Sequence, residues 1–150
     1  MRRVGYLFEQ VVAYENLLTA FRLARRGCGN TPAGCRFFYH LEPELLRLQH
    51  ELQDGVYRPG AYHYFTIRDP KERVIAVAPF RDRVVHHAVV RVLTPIYERV
   101  FIYDSYATRP GKGTHAAILR AQQFIRRWKF YLKTDVHKYF DSVDHDVLLG

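Results

Sequence analysis

Four aspartates fall within sixteen positions near the end of the sequence: Asp135, Asp141, Asp144 and Asp146. The thirty positions before them, Ser105 to Thr134, hold no acidic residue but carry Arg109, Lys112, Arg120, Arg126, Arg127, Lys129 and Lys133. Cations neutralise backbone phosphates, and carboxylate oxygens hold Mg²⁺ through one or two ligands. A basic surface running into carboxylates therefore suits a site that grips phosphates and does metal chemistry on them. The same pattern also fits a solvated basic helix followed by aspartates that cap local turns. Asp144 and Asp146 read as caps. Asp135 differs, because it follows the strand-like run Phe130, Tyr131, Leu132, where a carboxylate asks for a partner or a metal.

The whole chain has the same bias. Its 150 residues carry a formal charge of +8 and a pI near 9.7, which points to a polyanionic partner, either nucleic acid or an anionic membrane surface. No run approaches the roughly 20 apolar residues of a membrane span. Arg2 and Arg3 open the chain, but Glu9 and Gln10 interrupt any signal-like stretch. The expectation is a soluble, cytoplasmic protein with no membrane partner. Apolar residues make up 48% of the chain, enough to bury a core and to argue against disorder. The length is that of one domain or a piece of a larger one. Cys28 and Cys35 lie in a Gly- and Pro-containing stretch without a second Cys or His pair at zinc spacing, so two reduced thiols are expected.

The elements that must position these groups follow from periodicity. Leu17, Leu18, Phe21 and Leu23 mark a helix ending near Gly27, and Leu41, Leu45, Leu48 and Leu52 mark a second, closed by Gly55. Tyr62 to Val77 reads as a hairpin, with Asp69-Pro70-Lys71-Glu72 supplying turn chemistry. From Asp82, apolar residues recur at helical spacing to Ile96, with Pro95 bending or ending the helix. Adjacent His86 and His87 point about 100° apart on it, so at most one faces the core. Residues 103–113 form a loop, and Thr114 is placed to cap a helix with Ala117, Ile118, Ala121, Phe124, Ile125 and Trp128 on one side. The Phe residues and Trp128 are expected to pack in the core. Phe130 to Val136 reads as a strand, and Asp144 as the cap of a last helix. Helices and strands mix without strict alternation, so the fold class is α+β.

Four stretches, in order, resemble reverse transcriptases. Asp135-Val-His-Lys-Tyr-Phe140-Asp141-Ser-Val-Asp144-His is similar to the first palm motif, Asp-x-x-x-x-Phe-Asp followed by Ser-x-Asp-His. Ser105-Tyr-Ala-Thr-Arg109-Pro-Gly resembles the Ser-Tyr-Gly-Phe-Arg-Pro-Gly loop of group II intron relatives. Pro70-Lys71-Glu72-Arg73-Val-Ile resembles the fingers motif. Ala78-Pro-Phe-Arg81-Asp82-Arg83-Val-Val-His86-His87-Ala looks most like the enzymes of diversity-generating retroelements. The resemblance implies the fingers and first part of the palm of a right-hand polymerase, with residues 1–125 forming fingers and fingers–palm helices and 126–150 the start of the palm. The second palm motif and the thumb are not among these residues.

The family's roles carry over position by position. Asp135 matches the first catalytic aspartate, which bridges two Mg²⁺ ions (Mn²⁺ as the substitute), with the carbonyl of Val136 as a further ligand. Phe140 matches the ring that excludes a 2′-hydroxyl by clash. His137, Lys138, Tyr139 and Phe140 would meet the triphosphate, and Lys71 and Arg73 would clamp it. Arg81, Arg109 and Lys112 would contact nucleic acid. Asp141 would be structural. The implied reaction adds dNTPs to a DNA primer on an RNA template by two-metal phosphoryl transfer. Two further carboxylates come in the family from a Tyr-x-Asp-Asp hairpin absent from these 150 residues, so no polymerase activity is expected of them alone. A small accessory protein is a candidate partner by the same resemblance. Two other readings stay open. One is a non-catalytic nucleic-acid-binding remnant. The other is a metal-dependent nuclease, which is weakened because no earlier carboxylate has suitable spacing.

Overall fold

The helical half of the chain is built from short amphipathic segments that can bury their apolar stripes only against one another. In a computed structural model describing residues 4–26, 31–137 and 139–149, the order is α1 (Leu7–Val12), α2 (Tyr14–Arg26), α3 (Pro32–Tyr39), α4 (Leu41–Gln53), β1 (His63–Asp69), β2 (Lys71–Val77), α5 (Phe80–Tyr97), α6 (Thr114–Arg127) and α7 (His145–Leu149). Helices with one small sheet make the class α+β, as expected. Contacts divide the chain into Met1–Phe101 and Ile102–Gly150. The boundary drawn near residue 125 falls inside α6.

In the first unit α2, α4 and α5 bury Leu17, Ala20, Phe21, Leu45, Leu48, Val84 and Ala88, and α3 adds Phe37. The rings of Phe21, Phe37 and Phe80 meet pairwise, with centroids 5.4–6.1 Å apart. Polar ties cross the helices. Asn16 Nδ2 donates to the carbonyls of Val11 and Ala88, and Gln49 Nε2 donates to that of Val12. α4 stops at Gly55, whose φ of +68° is the left-handed conformation that glycine adopts without a Cβ penalty.

The Leu41–Leu52 stripe, the hairpin and the helix carrying Pro95 all lie where periodicity put them. Pro95 does not end α5, which continues to Tyr97. The first-unit helices α1 and α3 were missed. The stretch assigned to a loop around Cys35 is helix α3, where Thr31 Oγ1 accepts from the Gly34 N–H and Pro32 occupies the first turn. That Thr-Pro start is a helix signal. Cys35 sits exposed on this helix, while Cys28 and Gly27 lie outside the described residues.

The second unit departs further from expectation. Thr114 is the first residue of α6 rather than its cap, which is Gly113. None of the α6 residues is buried, and Trp128 is 60% exposed. Phe130–Val136 is not a strand. A strand needs a neighbour for its backbone groups, and among the described residues of this unit none pairs with it. The expectation that Trp128 packs in a core fails for the same reason: no described sheet of this unit covers α6. Asp144 does cap α7, its Oδ1 accepting from the N–H groups of Asp146 and Val147 at 2.9 and 3.1 Å.

Candidate nucleic-acid interface

Lys71 and Arg73 are placed by the pairing of β1 with β2. The register sets His63 opposite Val77, Phe65 opposite Ile75, Ile67 opposite Arg73 and Asp69 opposite Lys71. Paired and alternate residues share a face, so one face carries Lys71, Arg73 and Asp69 near the tip and Phe65, Ile67 and Ile75 below them. The other face holds the cross-strand pair Arg68–Glu72 at 2.8 Å. Both strands are exposed along nearly their whole length. Among the described residues the side chains of Lys71 and Arg73 have no ion-pair or hydrogen-bond partner, which leaves two solvated cations beside an apolar strip.

The other cations singled out from the sequence are engaged within the protein. Arg81 pairs with Glu51, and its guanidinium lies 5.3 Å from the Tyr57 ring centroid. Arg109 Nη1 donates to the carbonyls of Ile102 and Ser105 at 3.0 and 3.1 Å. Lys112 Nζ donates to the Tyr103 carbonyl at 2.9 Å and lies over the rings of Tyr103 and Tyr106 at 3.7 and 5.0 Å. These last two tie the 103–113 loop to itself. Arg120 ties the same loop to α6 by pairing with Asp104, and sequence reasoning had not connected the two. Hydrogen bonding to Arg120 holds the Asp104 carboxyl below its ordinary 3.8, with Tyr106 adding a second donor.

Asp135 and its neighbours are open to solvent. Asp135 and His137 are exposed, Val136 is 65% exposed and Phe140 is 89% exposed. Tyr139 packs edge-on against Phe140 with centroids 5.3 Å apart. Phe140–Ser142 forms one 3-10 turn, in which Ser142 Oγ donates to the Tyr139 carbonyl. Lys138 lies outside the described residues. A carboxylate must have a partner where it ends a buried strand, but in water Asp135 needs none. No group of three or more His, Cys, Asp or Glu side chains converges among the described residues. The residues present therefore do not by themselves fit a two-metal centre.

His86 is exposed and His87 is half-buried, in keeping with a spacing that lets at most one of the adjacent pair face inward. A cavity of about 810 Å³ in the first unit, between α1, α2 and α5, includes none of these groups and is lined by residues such as Leu7, Asn16, Val92 and Ile96. Among the described residues no helix is long and apolar enough to cross a membrane.

No family model matches the chain. Individual proteins do. The chain is 27% identical over 143 residues to the group II intron-encoded protein LtrA of Lactococcus lactis, a match covering 93% of this chain and 23% of that protein. It is 31% identical over 116 residues to protein YkfC of Escherichia coli, covering 73% of this chain and 30% of the other. It is 34% identical over 71 residues to the mitochondrial nuclear intron maturase 1 of Arabidopsis thaliana, covering 47% of this chain and 10% of the other. The chain thus spans under a third of the length of these relatives. It is a homologue of the group II intron-encoded proteins and intron maturases, which are related to reverse transcriptases.

Proposed function

We propose that this chain is the fingers and first palm portion of an RNA-directed DNA polymerase, and that its hairpin grips phosphate. The observation that carries the reading is the hairpin face on which Lys71 and Arg73 stand exposed and unpartnered among the described residues, beside Phe65, Ile67 and Ile75. Two solvated cations next to an apolar strip suit a ligand with phosphates at one end and a flat apolar body at the other, as in a dNTP or an unpaired stretch of RNA template. The positive charge of the chain and its intron-encoded relatives support the same reading.

Within the proposal, Asp135 and the Val136 carbonyl are one contribution to a Mg²⁺ (or Mn²⁺) site whose other carboxylates the described residues do not bring together. Phe140 is the sugar gate, and His137 to Phe140 flank the triphosphate. The primer and dNTP are partners of the complete enzyme, and the 150 residues alone do not polymerise.

Binding of single-stranded RNA to the 150-residue chain over a salt series tests the phosphate grip. Affinity should fall with salt, and Lys71→Glu/Arg73→Glu should weaken it and flatten the slope of log K against log salt by roughly two contacts' worth. Salt-independent binding, or a double variant that binds like the parent, would refute the assignment.

A second reading is that the chain binds nucleic acid without catalysing, through the exposed cations of the hairpin alone. Primer extension on an RNA template separates the two in any longer protein carrying this segment.

A further inference from the structure

We propose that Arg81 and Asp82 are positioning residues that fix the base of the hairpin, with Arg81 acting through Glu51 and Tyr57 rather than on nucleic acid. The functional side of the proposal rests on the reading of the hairpin as a phosphate grip. The structural side stands on its own.

An isolated two-stranded hairpin is marginal in water, and β1 and β2 are exposed along their length. Their orientation must come from their roots. β2 runs into α5 through Ala78 and Pro79 alone. β1 is reached from α4 by residues 54–62, which have no helix or strand to hold them.

That connector is bound instead to the first turn of α5. Tyr57 Oη donates to Asp82 Oδ1 at 2.6 Å, and the Gly60 N–H donates to Asp82 Oδ2 at 2.8 Å. Asp82 is 2% exposed, and each of its carboxylate oxygens accepts from the connector. A buried carboxylate is stable only when its oxygens are satisfied, so the two donors and the acid hold one another in place. Arg81 adds a second clasp: it pairs with Glu51 and packs over the Tyr57 ring. The backbone N–H groups of Val56 and Tyr57 both bond the Glu51 carbonyl, so Glu51 belongs to the connector's own fold. At Gly60 a Cβ would stand 2.9 Å from Pro79 Cγ, so glycine lets the two roots of the hairpin approach. Both roots thereby converge on residues 79–82.

Three variants of the 150-residue chain test this: Tyr57→Phe, Arg81→Glu, and the charge swap Arg81→Glu/Glu51→Arg. The readouts are amide hydrogen exchange in β1 and affinity for inorganic tripolyphosphate. Both single variants should speed exchange in β1 by about tenfold or more, as loss of a bond to a charged partner implies. They should weaken tripolyphosphate binding while α2 amides stay protected. The swap should restore both readouts.

Unchanged β1 exchange in the two single variants would overturn the proposal. So would loss of tripolyphosphate affinity in Arg81→Glu without faster β1 exchange, since Arg81 would then touch the anion itself. Should Arg81→Glu fail to fold, Tyr57→Phe carries the test without altering charge. If exchange responds as expected but the parent chain does not bind tripolyphosphate, the anchor stands and the phosphate-grip reading falls.

Discussion

Asp104 and Arg120 meet side-on across sixteen residues, Nε donating to Oδ1 at 2.8 Å and Nη2 to Oδ2 at 3.3 Å. The parallel contacts turn the 103–113 loop back onto α6, and Tyr106 adds a third donor to the same carboxylate. Arg120 also lies over the rings of Tyr103 and Phe124, so the pair joins an aromatic cluster to the helix.

The pH behaviour of the loop follows from this pair. Hydrogen bonding to Arg120, opposed by partial desolvation and helped by Tyr106, sets the folded carboxyl lower than its ordinary 3.8. A carboxyl lowered in the folded state contributes stability above the unfolded value, and that stability is lost as pH falls through the folded value. Exchange of the 103–113 amides, corrected for intrinsic rates, should therefore quicken below about 3.8, and Asp104→Asn should show the loosened loop at every pH. The pair is solvent-exposed, so salt should weaken the effect. A loop whose protection ignores both acid and the substitution would show the contacts to be incidental.

His87 predicts a second pH dependence, in the first unit. Burial of its ring lowers its pKa from 6.5, and the nearby positive charges of Arg83 and His86 push the same way. The unfolded chain then binds more protons than the folded one below 6.5, so stability is complete above that value and falls as pH drops through it. The urea midpoint should decline between 6.5 and the carboxylate range, and His87→Leu should flatten that decline. An equal slope in the variant would assign the titration elsewhere.

The two units should answer differently to truncation of large side chains. Leu45 is fully buried between helices, and Leu45→Ala should cost about 2–5 kcal/mol, the usual range for a core leucine. Trp128 is 60% exposed, and Trp128→Ala should change the stability of this chain by no more than about 0.5 kcal/mol. Urea unfolding of both variants gives the comparison, and equal losses would mean that Trp128 has a partner in solution.

How much the sequence revealed differs between these regions for a physical reason. Leu41, Leu45, Leu48 and Leu52 are periodic because one face of their helix is buried, so pattern and structure agree. The hairpin was legible because β-formers flank the turn residues Asp69 and Pro70. The Tyr57–Asp82 and Asp104–Arg120 contacts link residues 25 and 16 positions apart, and single-sequence periodicity carries no signal for such pairings. Phe130–Val136 has the composition of a strand, but composition cannot supply the neighbour whose backbone would pair with it. Arg81, Arg109 and Lys112 were visible as cations, while the carbonyls, carboxylate and rings that engage them were not.

Asp135 supplies the last prediction. The reading that singles it out needs it to share a divalent cation with other carboxylates, yet it is solvated and no three-ligand cluster forms among the described residues. Mg²⁺ demands near-octahedral oxygen ligation and gives up water reluctantly, so a lone exposed carboxylate holds it poorly. A ligand that binds only the folded state raises stability in proportion to the logarithm of its concentration over Kd. For this chain, then, adding millimolar Mg²⁺ should leave the urea midpoint unmoved beyond a general salt effect, and Asp135→Asn should unfold like the parent with or without the ion. In a longer protein that brings further carboxylates to Asp135, the parent alone should gain stability from Mg²⁺, and the Asn variant should lose that gain while still binding RNA. A Mg²⁺-dependent shift in the 150-residue chain that disappears in Asp135→Asn would show that the segment completes a metal site unaided, and the view of Asp135 as one ligand among several supplied elsewhere would have to be abandoned.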